Sequence, residues 1–262
     1  MSAVLTVQNL QHRYAGVHAL KGVDFELHQG ECVALIGPNG AGKSTCFACL
    51  AGQQTAAQGK VVWHAQDLQG IPVTARRALG IGRTFQVAQV FEALSVMQNL
   101  QLVLKAASGV SLFDNLDNCQ SEAAAYWVNA MGLQDLGHAA LNASAAHLSY
   151  GNKKRLELAM ALAGLPQADQ GLLLLDEPAA GLSPEERQDM MYRIRKLTAQ
   201  GTTVLYTEHN MDAVFGVADR VLVLMEGRLI AQGLPQDVAA NAVVQERYLG
   251  THFSKAPGGC HA

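Results

Sequence analysis

The run Gly37-Pro38-Asn39-Gly40-Ala41-Gly42-Lys43-Ser44-Thr45 follows the pattern G-x-x-x-x-G-K-[ST], and few folds accept it. Ahead of it, Glu31-Cys32-Val33-Ala34-Leu35-Ile36 is apolar enough for a buried strand. Behind it, Cys46-Phe47-Ala48-Cys49-Leu50-Ala51 reads as the first turns of a helix that stops at Gly52. Strand, glycine loop and helix together form a phosphate-binding unit. Glycines let successive backbone N–H groups turn inward on phosphate oxygens, and the helix N-terminus adds partial positive charge at the same point. Lys43 supplies a mobile cation for the outer phosphates, and Ser44 a hydroxyl that can ligate Mg²⁺. A bare strand-to-helix turn is the structural alternative, and the flanking segments argue against it.

With 262 residues, 49% of them hydrophobic, the chain suits one large α/β domain or a core with an inserted lobe. A net charge of −3 gives no basic face for nucleic acid, so none is expected as a partner. Residues 3–7 are too short for a secretory leader, and no apolar run approaches the ~18 residues of a membrane span. A cytoplasmic protein able to dock on a membrane partner is expected. The five cysteines fit no disulfide framework. Cys46 and Cys49 are read as small core residues at i and i+3, and Cys260-His261 as part of a frayed tail, 251–262.

Taken in order, Leu5, Val7, Leu10 and then Val23, Phe25, Leu27 predict half-buried strands with Tyr14 in the loop between them. Tyr14 is either an adenine-stacking ring or an ordinary surface tyrosine. A strand from Gly59 to His64, a short helix from Thr74 to Leu79 and a strand from Gly80 ending at Gln86 follow. Gln86 can ligate Mg²⁺ or orient water, although a lone glutamine is more often merely solvated. From about 91 to 154 the apolar period becomes helical, with a looser stretch from Ser108 to Cys119 and a helix from Ser121 to Met131. Ser149 and Gly151 precede a helix read as Lys153–Ala163, and Ser149 is either an anion contact or a plain helix cap. Leu172–Leu175 is a continuous apolar strand that ends in Asp176 and Glu177, at the sheet edge where ligands bind. Burying two acids there calls for a cation. Thr202–Thr207 is a second such strand, ending at Glu208-His209. A helix over 212–218, a hairpin through Glu226-Gly227 and a final helix over 235–249 complete the reading.

Tyr14, the phosphate loop, Gln86, Leu148-Ser149-Tyr150-Gly151-Asn152, Asp176-Glu177, Ala180–Pro184 and His209 occur in the order found in ATP-binding cassette (ABC) ATPases, and the chain resembles that family from about 5 to 250. The resemblance implies a P-loop NTPase of the α/β class. Its expected parts are a mainly parallel RecA-like core (about 1–90 and 155–250), an N-terminal antiparallel β subdomain and an inserted α-helical subdomain (about 91–154). It also implies roles: Tyr14 stacking on adenine, residues 37–45 on the phosphates, Gln86 sensing Mg²⁺ and the membrane partner, and Ser149 and Gly151 in the signature motif. Asp176 would bind Mg²⁺, Glu177 would act as general base and His209 as a switch. Tyr150 stands where the family usually has glycine, Asn152 where it has glutamine, and Ser183 where it often has aspartate. These departures bear on coupling across a dimer.

Arg83-Thr84-Phe85-Gln86, Ala179-Ala180-Gly181-Leu182, Glu208-His209-Asn210-Met211 and Arg247-Tyr248-Leu249-Gly250 look like the ATPases of branched-chain amino-acid importers. That branch also serves urea, amides and aromatic acids, and the ATPase of lipopolysaccharide export shares parts of the pattern. The resemblance implies ATP and Mg²⁺ as ligands, an identical or paralogous ATPase as dimer partner, permease subunits and, through them, a periplasmic solute-binding protein. It places the chain on the cytoplasmic face of the inner membrane. A P-loop kinase or GTPase would account for 37–45 and Asp176 but not for Ser149–Gly151 or His209. A non-transport ABC protein would be expected to carry a second cassette or a long coiled coil.

Overall fold

The computed structural model describes residues 3–109 and 121–250. The looser stretch beyond Gly109, with Cys119, and the tail with Cys260-His261 lie outside them. In chain order, β1 (Ala3–Tyr14) and β2 (Val17–His28) form a long hairpin, and β3 (Cys32–Ile36) leads through the phosphate loop into α1 (Lys43–Ala51). Then come β4 (Gln58–Trp63), β5 (Gln66–Asp67), α2 (Val73–Ala78) and β6 (Ile81–Arg83). The next elements are helical: α3 (Val96–Ser108), α4 (Ser121–Ala130), α5 (Gly137–Asn142) and α6 (Tyr150–Ala163). The chain returns to β7 (Leu172–Asp176), α7 (Pro184–Ala199), β8 (Thr203–Thr207), α8 (Met211–Phe215), β9 (Arg220–Met225) and β10 (Arg228–Gly233). It closes with α9 (Pro235–Ala240), α10 (Ala242–Val244) and one π-helical turn, Gln245–Leu249.

Two sheets result. One is antiparallel, in the order β2-β1-β4-β5; the other has the order β10-β9-β3-β8-β7-β6. In the second sheet β6, β7, β8, β3 and β9 run parallel, and only β10 is antiparallel. The apolar runs of the sequence reflect burial on both faces of this sheet. Along β3, Cys32, Ala34 and Ile36 join the core shared with α3–α8, whereas Val33 and Leu35 join the core under α1 and the antiparallel sheet. Leu173 and Leu175 divide from Leu172 and Leu174 in the same way. A period of two thus supplies both layers from one strand.

Several boundaries differ from the sequence reading, each for a local reason. The strand expected to end at Gln86 ends at Arg83, because from Phe85 onward the backbone bonds to side chains of α6 rather than to the sheet. The helix expected from Lys153 starts at Tyr150, with Ser149 as its cap. The final helix is broken at Asn241, which is extended (φ −68°, ψ 120°) and caps α10 by accepting from Val243 N and Val244 N. An asparagine side chain that competes with the backbone in this way ends one helix and starts the next. Tyr14 closes β1 rather than lying in a loop, opposite Val17. Between them Ala15 and Gly16 both take positive φ, +42° and +95°, the geometry that lets a two-residue turn follow the twist of its strands.

Candidate functional site

The phosphate loop is shaped from behind by neighbouring backbone. A Cβ on Gly37 (φ +149°) would lie 1.9 Å from the Leu224 carbonyl oxygen, and one on Gly42 (φ +109°) would lie 2.6 Å from Ala19 O. Gly227 N donates to Ala41 O at 2.9 Å, which ties the β9–β10 turn to the loop. Ala19 follows Val17, the partner of Tyr14, by two residues, so the tip of the β1–β2 hairpin lies beside the loop. Tyr14 is 43% exposed there, its ring edge-on to His12 at 4.5 Å. Lys43 is buried and folds back, donating from Nζ to Gly37 O (2.7 Å) and Pro38 O (3.2 Å). Burial lowers its pKa, and the carboxylates of Glu177 and Asp176 oppose that shift. Ser44 is exposed at the start of α1.

Asp176 and Glu177 close the neighbouring part of the sheet. Asp176 Oδ1 accepts from the Thr207 hydroxyl at 2.8 Å, and Oδ2 lies 3.3 Å from the Arg83 guanidinium. The same Thr207 oxygen accepts from Glu177 N at 3.0 Å. Register explains this double use: β7 and β8 are parallel with Asp176 opposite Thr207. Glu177 itself is left-handed, φ +47°, a conformation that costs a residue with a Cβ about 1–2 kcal/mol. That turn aims its carboxylate between two partners, Gln86 Nε2 at 3.1 Å from Oε2 and His209 Nε2 at 3.1 Å from Oε1. Buried Glu208 accepts from Ala179 N (2.8 Å) and His209 N (3.2 Å), so the turn after Glu177 and the His209 loop are held to one carboxylate. Burial raises the Glu208 pKa, an effect these N–H bonds oppose.

The Ser149 turn is linked to this group through Gln86. Ser149 Oγ caps α6 by accepting from Asn152 N at 3.3 Å. Tyr150 donates to Gln86 O at 3.1 Å, and a Cβ on Gly181 would meet its ring at 3.2 Å. A Cβ on Gly151 would lie 2.4 Å from the Glu186 carboxylate, so a side chain there would have to displace the end of Glu186, which closes the capping box of α7. Ser183 caps α7 through a capping box with Glu186, a task that serine performs as well as aspartate. No hydrogen bond among the described residues joins Ser149 or Gly151 to residues 37–45. The cleft of about 540 Å³ between α7 and α8, lined by Arg187, Met191, Tyr192 and Ala213, contains none of these residues.

Of the residues singled out in the sequence, Gln86, Glu177 and His209 form one hydrogen-bonded group, and Asp176 adjoins it. Lys43 lies within electrostatic reach of both acids. Tyr150, between Ser149 and Gly151, reaches this group by donating to Gln86 O, whereas Tyr14 stands at the hairpin tip and makes no hydrogen bond to it among the described residues. Sequence reasoning did not single out Thr207, Glu208 or Arg83 for the positions they hold. Arg83 lies between the rings of Phe47 (5.9 Å) and Phe85 (5.3 Å), pairs with Asp176 and donates to Gln53. Their only sequence signal was position at a strand end, since the pairings depend on register. Cys46 and Cys49 are buried free thiols, as expected of core residues. Asp176, Ser44 and Gln86 carry a carboxylate, a hydroxyl and an amide oxygen, hard donors of the type magnesium takes beside phosphate oxygens and water. The position beside Asp176 already attracts a cation, the Arg83 guanidinium.

Comparison with known proteins gives the geometry a family. The model of the ABC transporter family matches residues 20–180. The high-affinity branched-chain amino acid transport ATP-binding protein LivG of Escherichia coli (strain K12) is 38% identical over 257 residues, covering 94% of this chain and 98% of LivG. The lipopolysaccharide export system ATP-binding protein LptB of the same organism is 33% identical, covering 96% and 99%. The ADP conformation of MJ1267, an ATP-binding cassette of an ABC transporter, superimposes with a TM-score of 0.81 at 27% identity, covering 95% of this chain and all of that one. The chain belongs to the ABC transporter family, as one of its ATPase cassettes.

Proposed function

We propose that this cassette powers an importer of branched-chain amino acids or related small polar solutes, as one of two ATPases that close on ATP. The observation that carries the catalytic part is the Glu177 carboxylate held between Gln86 and His209 at the end of β7. Identity to LivG over nearly the whole chain supports the cargo. The lower identity to LptB favours import over lipopolysaccharide export.

In this reading Lys43 exchanges the carbonyls of Gly37 and Pro38 for the β- and γ-phosphate oxygens of ATP, and Tyr14 stacks on the adenine. Glu177 takes the proton of the attacking water, its free lone pairs directed there by the partners on either side. His209 reaches the γ-phosphate from the same loop that Glu208 fixes. Asp176, Ser44 and Gln86 would hold Mg²⁺, which when bound neutralises charge on the β- and γ-phosphates. Ser149 and Gly151 are not bonded to their own phosphate loop and serve the nucleotide of a second chain, identical or paralogous. The helices over about 91–154 act as a lobe that moves against the core. Phe85, Val87 and Phe91 are exposed beside Gln86, and a groove of about 230 Å³ lined by Val73, Phe85 and Val103 lies next to them. There a permease subunit docks, and a periplasmic solute-binding protein acts through it. No described helix is long and apolar enough to cross a membrane. In this reading the chain attaches peripherally, through the permease, on the cytoplasmic face.

Glu177→Gln tests this. The amide keeps its hydrogen-bonding neighbours but cannot take a proton, so ATP binding should persist while turnover falls about a hundredfold or more, with a dimer trapped on size-exclusion chromatography. Wild-type turnover would remove Glu177 as the base.

A further inference from the structure

Helix α6 carries Tyr150, Lys154 and Glu157 at i, i+4 and i+7, which is one face of a helix. All three reach the same five residues of chain. Tyr150 Oη donates to Gln86 O (3.1 Å), and Lys154 Nζ donates to Phe85 O (2.8 Å). Glu157 Oε1 accepts from both Phe85 N and Gln89 N, each at 3.1 Å. Lys154 and Glu157 are 3% and 5% exposed. Charges so far from water are costly to leave unpaired, and the backbone of this loop is what pairs them. Burial raises the Glu157 pKa and lowers that of Lys154, with each charge opposing the other's shift.

The parallel sheet releases the chain just before this point. Thr84 N donates to Leu174 O at 3.0 Å, extending the β6–β7 pairing by one bond. From Phe85 to Gln89 the backbone is fastened instead to the helix that begins at the Ser149 turn. The Gln86 side chain then crosses back to the sheet and meets Glu177 at 3.1 Å.

We propose that Tyr150, Lys154 and Glu157 are positioning residues that fasten the Gln86 loop to α6, so that displacement of the Ser149 end of α6 reaches Glu177 through the Gln86 amide. The fastening stands on the hydrogen bonds; its effect on hydrolysis rests on the roles given above to Gln86 and Glu177. A helix and a loop joined by three side chains move as one body, and the Gln86–Glu177 hydrogen bond links that body to the residue that follows the catalytic strand. Tyr150 becomes intelligible here: a glycine at this position would have no hydroxyl for Gln86 O.

Hydrogen–deuterium exchange of the full chain tests the fastening, and steady-state ATPase kinetics test its consequence. In Glu157→Ala, exchange across residues 84–89 should rise about tenfold or more while β3 and β8 keep wild-type rates. Tyr150→Phe, at a partly exposed position, should give a smaller rise in the same peptide. For both variants kcat should fall while KM for ATP stays within about twofold. On a Gln86→Ala background, adding Glu157→Ala should cost less than about twofold further, because the two act in series. Should Glu157→Ala not fold, Glu157→Met keeps the length of the side chain without the oxygen that accepts both N–H bonds and is read in the same way. Unchanged exchange at 84–89 in folded variants would overturn the fastening. Equal kcat losses with and without Gln86 would overturn its transmission through that amide. Wild-type turnover by Gln86→Ala alone would instead remove the role assigned to Gln86, with the exchange result still deciding the fastening.

Discussion

Thr207→Val isolates one oxygen that serves both acids. The Thr207 hydroxyl donates to Asp176 Oδ1 and accepts from Glu177 N, and the residue is 1% exposed. Valine fills nearly the same volume, so packing changes little and the loss is almost wholly polar. A hydrogen bond to a carboxylate contributes about 1.5–3 kcal/mol, and a buried N–H left without an acceptor costs about 1–3 kcal/mol. Taking the low end of each gives about 2.5 kcal/mol, which in a chain of this size lowers Tm by about 5–10 °C. The same N–H bond helps to hold Glu177 at φ +47°, so the carboxylate should lose its aim. Loss of such a supporting contact typically costs about 10–100-fold in activity. Differential scanning fluorimetry without nucleotide reads the first effect and a coupled ATPase assay the second. Thr207→Ser, which restores the oxygen, should recover most of both. A valine variant with wild-type Tm and wild-type kcat would refute the reasoning.

Two further substitutions probe other joints. Ser149→Arg should leave ATP binding by the isolated chain intact, measured by titration with a fluorescent ATP analogue, and abolish the dependence of turnover on protein concentration; retained cooperative turnover would exclude a shared site. Arg76 is buried and donates to the carbonyls of Cys49, Leu50, Leu68 and Ile71. Arg76→Lys keeps the charge but not the planar fork, and should lower stability by about 2 kcal/mol in chemical denaturation.

The parts of this molecule legible in the sequence are those that local chemistry dictates. Leu172–Leu175 announced a strand buried on both faces because no polar side chain interrupts it. Gly52 announced the end of α1 because a helix readily stops on a left-handed glycine, and it does so here with φ +81°. Gln86, Glu177 and His209 were marked by their order along the chain, which carried the family resemblance. What stayed hidden depends on which strand lies beside which. Thr207 looks like any strand residue until β8 is set against β7, and Arg83 like any surface arginine until Asp176 is opposite. Lys154 and Glu157 are charged residues of a helix, yet both are buried, because the stretch that follows β6 covers them. Asn241 carried a readable signal, a helix-capping residue within the helix expected over 235–249.

The contact of Gly37 with Leu224, and of Gly227 with Ala41, gives the last quarter of the chain a duty that no motif advertises. A polypeptide cut after His209 would still contain every recognisable nucleotide-site element, but its phosphate cradle would have lost the anvil against which its curve is formed. The boundary of a working enzyme unit therefore lies beyond the boundary of its motifs.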